Sequence, residues 1–259
     1  MITSSSNPQL KTISQLNKKA KLRKEQGLYI VEGYKMYTEA PKNEIEKVYV
    51  SETFIQKHPE VLKEKFPCEV VQDKLFTAVC DTQTPQGILC IMRQKKRNLE
   101  ELLKKEHPFF VFLEDLQDPG NVGTIIRTAE GAGVDGVIMT RNCVDIYNPK
   151  TIRSTMGSIY RVPFFVIEDM DEVLALFQTY EIQTFAAHLA GKNNYDREDY
   201  TKGTAILIGN EGNGLSDVLS DKADCLVKIP MCGQLESLNA AMAAGIFMYE
   251  AARQRRGLK

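Results

Sequence analysis

The feature that most limits what this chain can fold into is alternation. Strand-length apolar runs are separated by stretches of helical period almost from end to end. In the first third, GLYIVEG, IEKVYVS, CEVVQ and GILCIM read as strands, with GYKMYTEA, ETFIQKHPEVLKEKF and DKLFTAVCD as helices between them. Strands that alternate with helices call for an α/β unit, here a small one. The charged stretch RQKKRNLEELLKK is poor in β-formers; its start reads as a linker and LEELLKK as a short amphipathic helix. A second alternation begins at His107 and ends in SLNAAMAAGIFMYEAARQRR, expected to be the last helix. The expected organisation is therefore an N-terminal domain over 1–95 and a larger α/β domain over 107–259, a division that suits 259 residues.

Composition excludes several classes. No apolar run approaches the roughly 20 residues that span a bilayer. The start, MITSSSNPQLK, lacks the basic-then-apolar pattern of a secretory signal, so a cytoplasmic protein is expected. The six cysteines include no C-x-x-C pair and are expected to be reduced, mostly buried thiols. No metal site is expected, since none of His58, His107 and His188 sits near a cysteine pair. The net charge of −1 does not announce nucleic acid, but its distribution is uneven. Lys11, Lys18, Lys19, Lys21, Arg23 and Lys24 precede the first acid, a leader suited to RNA phosphates. Arg253, Arg255, Arg256 and Lys259 follow the last acid and fit a cationic helix end equally well.

Gly131-Ala-Gly133-Val-Asp-Gly136 matches G-x-G-x-x-G, yet its context rejects a dinucleotide site. That fingerprint must follow a strand and open a helix, so that the helix N-terminus meets the pyrophosphate. Here it follows a helix and enters the apolar run Val137-Ile-Met139. Glycines that end a helix and turn the chain into a strand explain it better.

Three other loops carry candidate chemistry. Asp118-Pro-Gly-Asn-Val-Gly-Thr-Ile-Ile-Arg127 follows a strand and opens a helix, where α/β sheets place ligands. Asn121 is expected to cap that helix. Val122, Ile125, Ile126 and Ala129 form its core face, with Gly123 and Arg127 off it. Arg127 then presents a guanidinium suited to phosphate or ribose, or is a surface arginine paired with Glu130 or Asp118. Ile208-Gly-Asn-Glu-Gly-Asn-Gly lets backbone approach a ligand, and Glu211 within it is either a ligand-holding acid or a solvated one. In Ile229-Pro-Met-Cys-Gly-Gln-Leu-Glu-Ser-Leu-Asn239, Ser237 and Asn239 read as helix-capping residues from spacing alone. Leu238, Ala241, Met242, Gly245, Met248 and Ala252 are expected to form a buried stripe of the last helix, tight enough for a close helix or dimer contact.

Taken in order, N-x-G-x-x-x-R-T-A at 121–129, I-G-N-E-G-x-G at 208–214 and I-P-M-x-G-x-x-x-S-L-N at 229–239 resemble the three motifs of the SpoU (TrmH) class of SPOUT RNA methyltransferases. The N-terminal third, with Thr84-Pro-Gln-Gly-Ile, is similar to the substrate-binding domain of several ribosomal-RNA members. The resemblance implies a parallel-sheet domain whose C-terminus forms a trefoil knot, a homodimer, and S-adenosylmethionine as cofactor. It implies that Gly209, Ile229 and Leu238 hold the cofactor. Asn121, Arg127, Glu211, Ser237 and Asn239 match the family's catalytic and substrate-positioning set. Many members read S-L-N-V-S in the last loop, whereas here Ala241 stands where the second serine would be.

The function so implied is 2′-O-ribose methylation of RNA, with ribosomal RNA favoured. The alternatives are 2′-O-methylation of transfer RNA and a non-catalytic RNA-binding protein of the same fold. A guanidinium hardly deprotonates in proteins, so Arg127 is expected to stabilise a developing alkoxide and grip a phosphate, held by Asn121 and Glu211.

Overall fold

The computed structural model describes residues 1–64 and 66–257. Its contacts divide into two compact units, one of residues 1–96 with 145–160, the other of 97–144 with 161 onward.

The first unit opens with two helices, α1 (Pro8–Lys18) and α2 (Ala20–Gln26). Asn7 caps α1 by accepting from the Gln9 amide, with Pro8 in the first turn. Leu10, Ile13 and Leu16 repeat at helical spacing and are buried in the unit's core with Ile30, Tyr49, Val71 and Phe76. The basic leader is therefore folded into two helices. Lys11, Lys18, Lys19, Lys21 and Lys24 are exposed, but Arg23 is 4% exposed. Its guanidinium donates to Asp145 Oδ2 at 2.5 and 2.9 Å and to the Leu16 carbonyl at 2.5 Å, so it is unavailable to RNA.

Strands β1 (Leu28–Glu32), β2 (Ile45–Ser51), β3 (Cys68–Val71) and β4 (Ile88–Arg93) form a sheet in the order β1-β4-β2-β3. β4 is antiparallel to both neighbours and β2 is parallel to β3. The connecting helices are α3 (Tyr34–Glu39), α4 (Glu52–Lys57) and α5 (Asp73–Val79). The single long helix expected over 52–66 stops at Lys57, and a 3₁₀ segment follows over Pro59–Lys63. Proline at 59 lacks the N–H and crowds the preceding turn, which breaks the α-helical ladder there.

The second unit starts with α6 (Leu99–Leu103), then β5 (Phe109–Leu113), α7 (Pro119–Ala132) and β6 (Gly136–Thr140). Gly133 ends α7 in the left-handed region at φ 76°, and its N–H reaches the Ala129 and Glu130 carbonyls. This glycine group is thus a helix stop leading to β6, as its context indicated. The chain then contributes 145–160, including α8 (Pro149–Thr155), to the first unit's contacts. There the Tyr29 and Tyr147 rings lie 4.6 Å apart, and the Tyr160 hydroxyl donates to the Met36 carbonyl at 3.0 Å. Periodicity marks α8 as a helix within 107–259, but a helical period carries no information on which unit receives its apolar face.

The rest of the second unit comprises β7 (Phe164–Ile167), α9 (Met170–Thr179), β8 (Gln183–Ala187), β9 (Asn193–Asn194), β10 (Thr204–Ile208), α10 (Asp217–Lys222), β11 (Cys225–Lys228) and α11 (Ala240–Arg255). Seven parallel strands run in the order β7-β6-β5-β10-β8-β11-β9. All five residues of β5 and of β10 are buried, as continuous apolar runs in a parallel sheet require. Among the described residues no helix is long and apolar enough to cross a membrane, and no His/Cys/Asp/Glu group could hold a metal. All six cysteines are free, but only Cys90 is buried and Cys232 is exposed, fewer buried thiols than composition implies.

Two surface expectations change in this unit. The buried stripe of α11 is Ala240, Ala241, Ala244, Phe247, Met248 and Ala251, while Met242 is 62% exposed. The helix is so rich in small and apolar residues that spacing alone allows either stripe. At its C-terminal end Arg255 donates to the carbonyls of Tyr200, His107 and Lys202 and stacks over Phe109, and Arg253 pairs with Glu250. Both are structural; Lys259 lies outside the described residues.

Candidate active site

β5 and β10 are neighbours, yet the chain leaves them in opposite directions. From β5 it passes through α7 to β6; from β10 it passes through α10 to β11, beyond β8. Such a divergence opens a crevice at the carboxyl ends of the strands, the usual ligand position in parallel α/β sheets.

The loop after β5 enters this crevice through a strained turn. Asp115 has φ 54°, uncommon for a residue with a side chain. The Asn210 side chain donates to its carbonyl at 2.7 Å, and its carboxylate accepts from the Thr140 hydroxyl at 2.6 Å. The cap of α7 is Asp118, whose Oδ1 accepts from the Asn121 amide at 2.8 Å, with Pro119 as the first helical residue. Proline is suited to that first position, which moves the cap three residues ahead of the expected Asn121. The Asn121 side chain is thereby released for other bonds.

The loop after β10 is a tight hairpin held by two backbone bonds between Asn210 and Gly214, each 2.9 Å. Asn210 Oδ1 also accepts from the Gly212 and Asn213 amides, an Asx-type turn. Gly209 has no alternative: a Cβ there would stand 2.1 Å from the Gly214 carbonyl carbon and the Leu215 nitrogen. Glu114 accepts from the Ser216 amide and hydroxyl at 2.7 and 2.6 Å, which fixes the hairpin's exit. The helix-starting serine after a glycine loop was a readable signal for Ser216. Nothing in the sequence marked Asn210, Asp115 or Glu114 as the residues that hold these loops together.

Glu211 bridges the first two loops. Its Oε1 accepts from the Asp118 amide at 3.0 Å and from Asn121 Nδ2 at 3.0 Å, and its Oε2 accepts from the Gln117 amide at 3.1 Å. Partial burial pushes this carboxyl's pKa up. Hydrogen bonds from Asn121 and from the amides of Gln117, Glu211 and Asp118 outweigh that and hold it below 4.5. Asn121 Oδ1 in turn accepts from Asn239 Nδ2 at 2.9 Å. Asn239 Oδ1 accepts from the Ala241 and Met242 amides at 2.9 and 3.3 Å, so Asn239, not Ser237, caps α11.

The order of donors along this chain is fixed from both ends, by the Glu211 carboxylate and by the amides of the α11 N-terminus. A carboxylate only accepts, so Asn121 must turn its NH₂ to Glu211 and its carbonyl to Asn239. Asn239 must then present NH₂ to Asn121 and its carbonyl to the free amides of the α11 N-terminus. Residues 90 and 118 positions apart in sequence are locked into one orientation.

The remaining expected residues are placed differently. Arg127 is exposed on α7 and has no hydrogen-bond or ion-pair partner among the described residues. Neither expected pairing forms, and Asn121 and Glu211 do not hold it. Its position is six residues past Asn121, about 240° around the helix. Gly123 is buried rather than off the core face, because α11 also packs along α7, with the Gly245 Cβ position 3.8 Å from Thr128 Cγ2. Ile229 and Leu238 are half-buried at the two ends of the third loop, and Ser237 is exposed.

A parallel sheet with a loop cluster at its switch point is the arrangement of α/β proteins that bind a nucleotide or cofactor there. Residues 108–249 match the family model described as the SpoU rRNA Methylase family, and this chain belongs to that family. Residues 7–90 match a model of an MRM3-like substrate binding domain. The chain is 31% identical to the 23S rRNA (guanosine(2553)-2′-O)-methyltransferase RlmP of Bacillus subtilis, over 96% of this chain and 97% of that one. In structure it resembles the SpoU methyltransferase AviRb of Streptomyces viridochromogenes in complex with AdoMet, with TM-score 0.88, 26% identity and coverage of 96% and 98%. It also resembles the AdoMet-bound rRNA methyltransferase of Sinorhizobium meliloti, with TM-score 0.86, 31% identity and 97% of each chain covered.

Proposed function

We propose that this protein transfers the methyl group of S-adenosylmethionine to a ribose 2′-hydroxyl of RNA, ribosomal RNA in the first instance. The observation that carries this reading is the Glu211–Asn121–Asn239 chain, which ties all three loops into one prearranged site. The loops also fit the cofactor. Gly209 lets the hairpin close tightly on its own backbone, and the backbone from Met231 to Leu238 makes no hydrogen bond among the described residues. Those free amides and carbonyls lie between the half-buried Ile229 and Leu238, a setting for a flat heteroaromatic ring held by backbone contacts.

When bound, S-adenosylmethionine supplies a methyl carbon already activated by its sulfonium. The protein has to align the accepting oxygen and stabilise charge as the hydroxyl proton leaves. Gly209, Ile229 and Leu238 would hold the cofactor, and Asn121, Glu211 and Asn239 keep the loop walls in register. Ser237 offers a hydroxyl at the loop rim. Arg127, exposed and without a partner among the described residues, would stabilise the developing alkoxide and bind the adjacent phosphate. Because Arg127 lies on a different face of α7 from Asn121, we read the working form as a homodimer in which a second copy completes the site. The exposed Met242 and Tyr249 of α11 support such a contact. A C-terminus threaded as a trefoil knot, and RNA delivery by an N-terminal domain over 1–95, belong to the same reading.

The test is incubation of purified protein with methyl-labelled S-adenosylmethionine and total RNA from cells lacking it, followed by nuclease digestion and nucleoside analysis. Label in a 2′-O-methylnucleoside is expected, and fractionation then separates ribosomal from transfer RNA. Label in a base overturns the ribose assignment. Absence of label, with cofactor bound, overturns catalysis.

A further inference from the structure

The first unit contains a cavity of about 610 Å³, the size of a small-ligand site, that the methyl-transfer chemistry does not use. Tyr34, Thr53, Phe54, Lys57, His58 and Gln86 are among its lining residues. Three rings form one wall. Phe54 and His58 stack with centroids 4.6 Å apart and planes at 27°, and Tyr34 lies 4.7 Å from His58 at 31°. Phe54 is 6% exposed and anchors the group, whereas Tyr34 is 36% exposed and presents its ring.

The Pro85-Gln86-Gly87 turn builds the opposite edge. A Cβ at Gly87 would stand 2.7 Å from Phe54 Cβ and 2.9 Å from Ser51 Oγ, and φ there is +91°. Only glycine lets the turn approach the rings this closely. Gln86 Oε1 accepts from the Tyr34 amide at 2.7 Å. With its oxygen committed, the Gln86 NH₂ must face away, and it has no partner among the described residues.

The charged groups are engaged unequally. Asp73, also at the cavity, keeps its charge but has both oxygens bonded by the Thr53 amide and hydroxyl at 3.0 and 2.6 Å, and Glu60 lies 3.0 Å from His58. Lys57 is exposed and has no ion-pair partner among the described residues. An aromatic wall, an outward amide donor and an ammonium free of ion pairs among the described residues match a flat heterocycle with a hydrogen-bond acceptor on its edge and a phosphate beside it.

We propose that this cavity takes one unpaired base of the RNA substrate, stacked on Tyr34, with its edge accepting from Gln86 and its phosphate beside Lys57. The proposal rests on the RNA-methylation reading above. The base has to be unpaired, because bases inside a duplex do not expose their faces.

The full chain would be titrated against a fluorescently labelled single-stranded RNA of mixed sequence and against the same RNA annealed to its complement. Tyr34→Ala is expected to weaken single-strand binding about tenfold to a hundredfold and to leave duplex binding unchanged. The chain has no tryptophan, so Tyr34→Trp adds a sole indole that keeps the stack. It should bind like the parent, with its fluorescence quenched by single-stranded RNA. Lys57→Gln should lower the salt slope of binding by about 0.7 and leave the quench in place. Unchanged single-strand affinity in Tyr34→Ala, an equal loss on duplex RNA, or an unquenched indole would overturn the pocket. Methyl transfer by the parent, measured alongside, separates the two ideas. Tyr34-dependent binding without methylation refutes the methyltransferase reading, and methylation with Tyr34-indifferent binding refutes the pocket.

Discussion

Glu211→Gln tests how strongly one negative charge holds the site's loops together. The substitution keeps the shape of the side chain and changes one acceptor oxygen into a donor NH₂. Its best placement leaves the remaining oxygen on the Asp118 amide and Asn121 Nδ2, now both at 3.0 Å from Oε1. The NH₂ then faces the Gln117 amide, which donates to Oε2 at 3.1 Å in the parent, so one bond becomes a donor–donor contact. A hydrogen bond to a charged group contributes about 1.5–3 kcal/mol when shielded from water. Glu211 is exposed, so solvent screening brings the expected cost to about 1–2 kcal/mol. Asn239 keeps its orientation in the variant, because the Ala241 and Met242 amides can only donate to its Oδ1, and it holds Asn121 in turn. A cost of that size corresponds to roughly a five- to thirtyfold loss in kcat/KM, measured as initial rates of label transfer to RNA. The linkage has a definite sign. Burial raises the Glu211 pKa and the hydrogen bonds lower it further than that, so its net contribution is complete above pH 4.5 and is lost as pH falls through the depressed value. The variant should therefore lose stability in neutral buffer and converge with the parent in acid. Rates within about twofold of the parent, with the same thermal midpoint at neutral pH, would refute the claim that the charge holds the loops together.

Further outcomes follow from individual contacts. Arg127→Ala should abolish transfer while S-adenosylmethionine still binds by calorimetry; loss of cofactor binding would make Arg127 structural. Gly209→Ala forces the hairpin open, because its Cβ would stand 2.1 Å from backbone atoms. Losing the two Asn210–Gly214 bonds costs about 1–3 kcal/mol, and calorimetry should show cofactor affinity falling with it. Arg23→Met leaves Asp145 without its partner and should destabilise the protein by about 3 kcal/mol in urea unfolding; a change under 1 kcal/mol would mean the pair is dispensable. Cys232, exposed in the third loop, should be alkylated first and be protected by added S-adenosylmethionine. Cys68, its pKa pushed up to about 11 by burial and then by Glu69, should lag behind; the same modification rate with and without cofactor would count against the loop assignment.

The sequence by itself determined the fold class, because apolar runs and helical periods are local properties that any tertiary arrangement must bury. It also determined which loops matter, since glycine, proline and asparagine at fixed offsets are constrained by backbone geometry wherever the chain goes. It left the meaning of particular side chains open. From spacing, Asn121 and Asn239 were equivalent helix caps. Only the structure shows that Asp118 takes the first cap, freeing Asn121 to join Glu211 to Asn239. Likewise Arg23 reads as one of six leader cations, until Asp145, 122 residues away, buries it. The choice of buried stripe on α11 and the attachment of α8 to the first unit are of the same kind. Local pattern fixes what a segment can be, whereas hydrogen-bond partners and burial depend on which distant segments arrive beside it, and that is decided only when the whole chain packs.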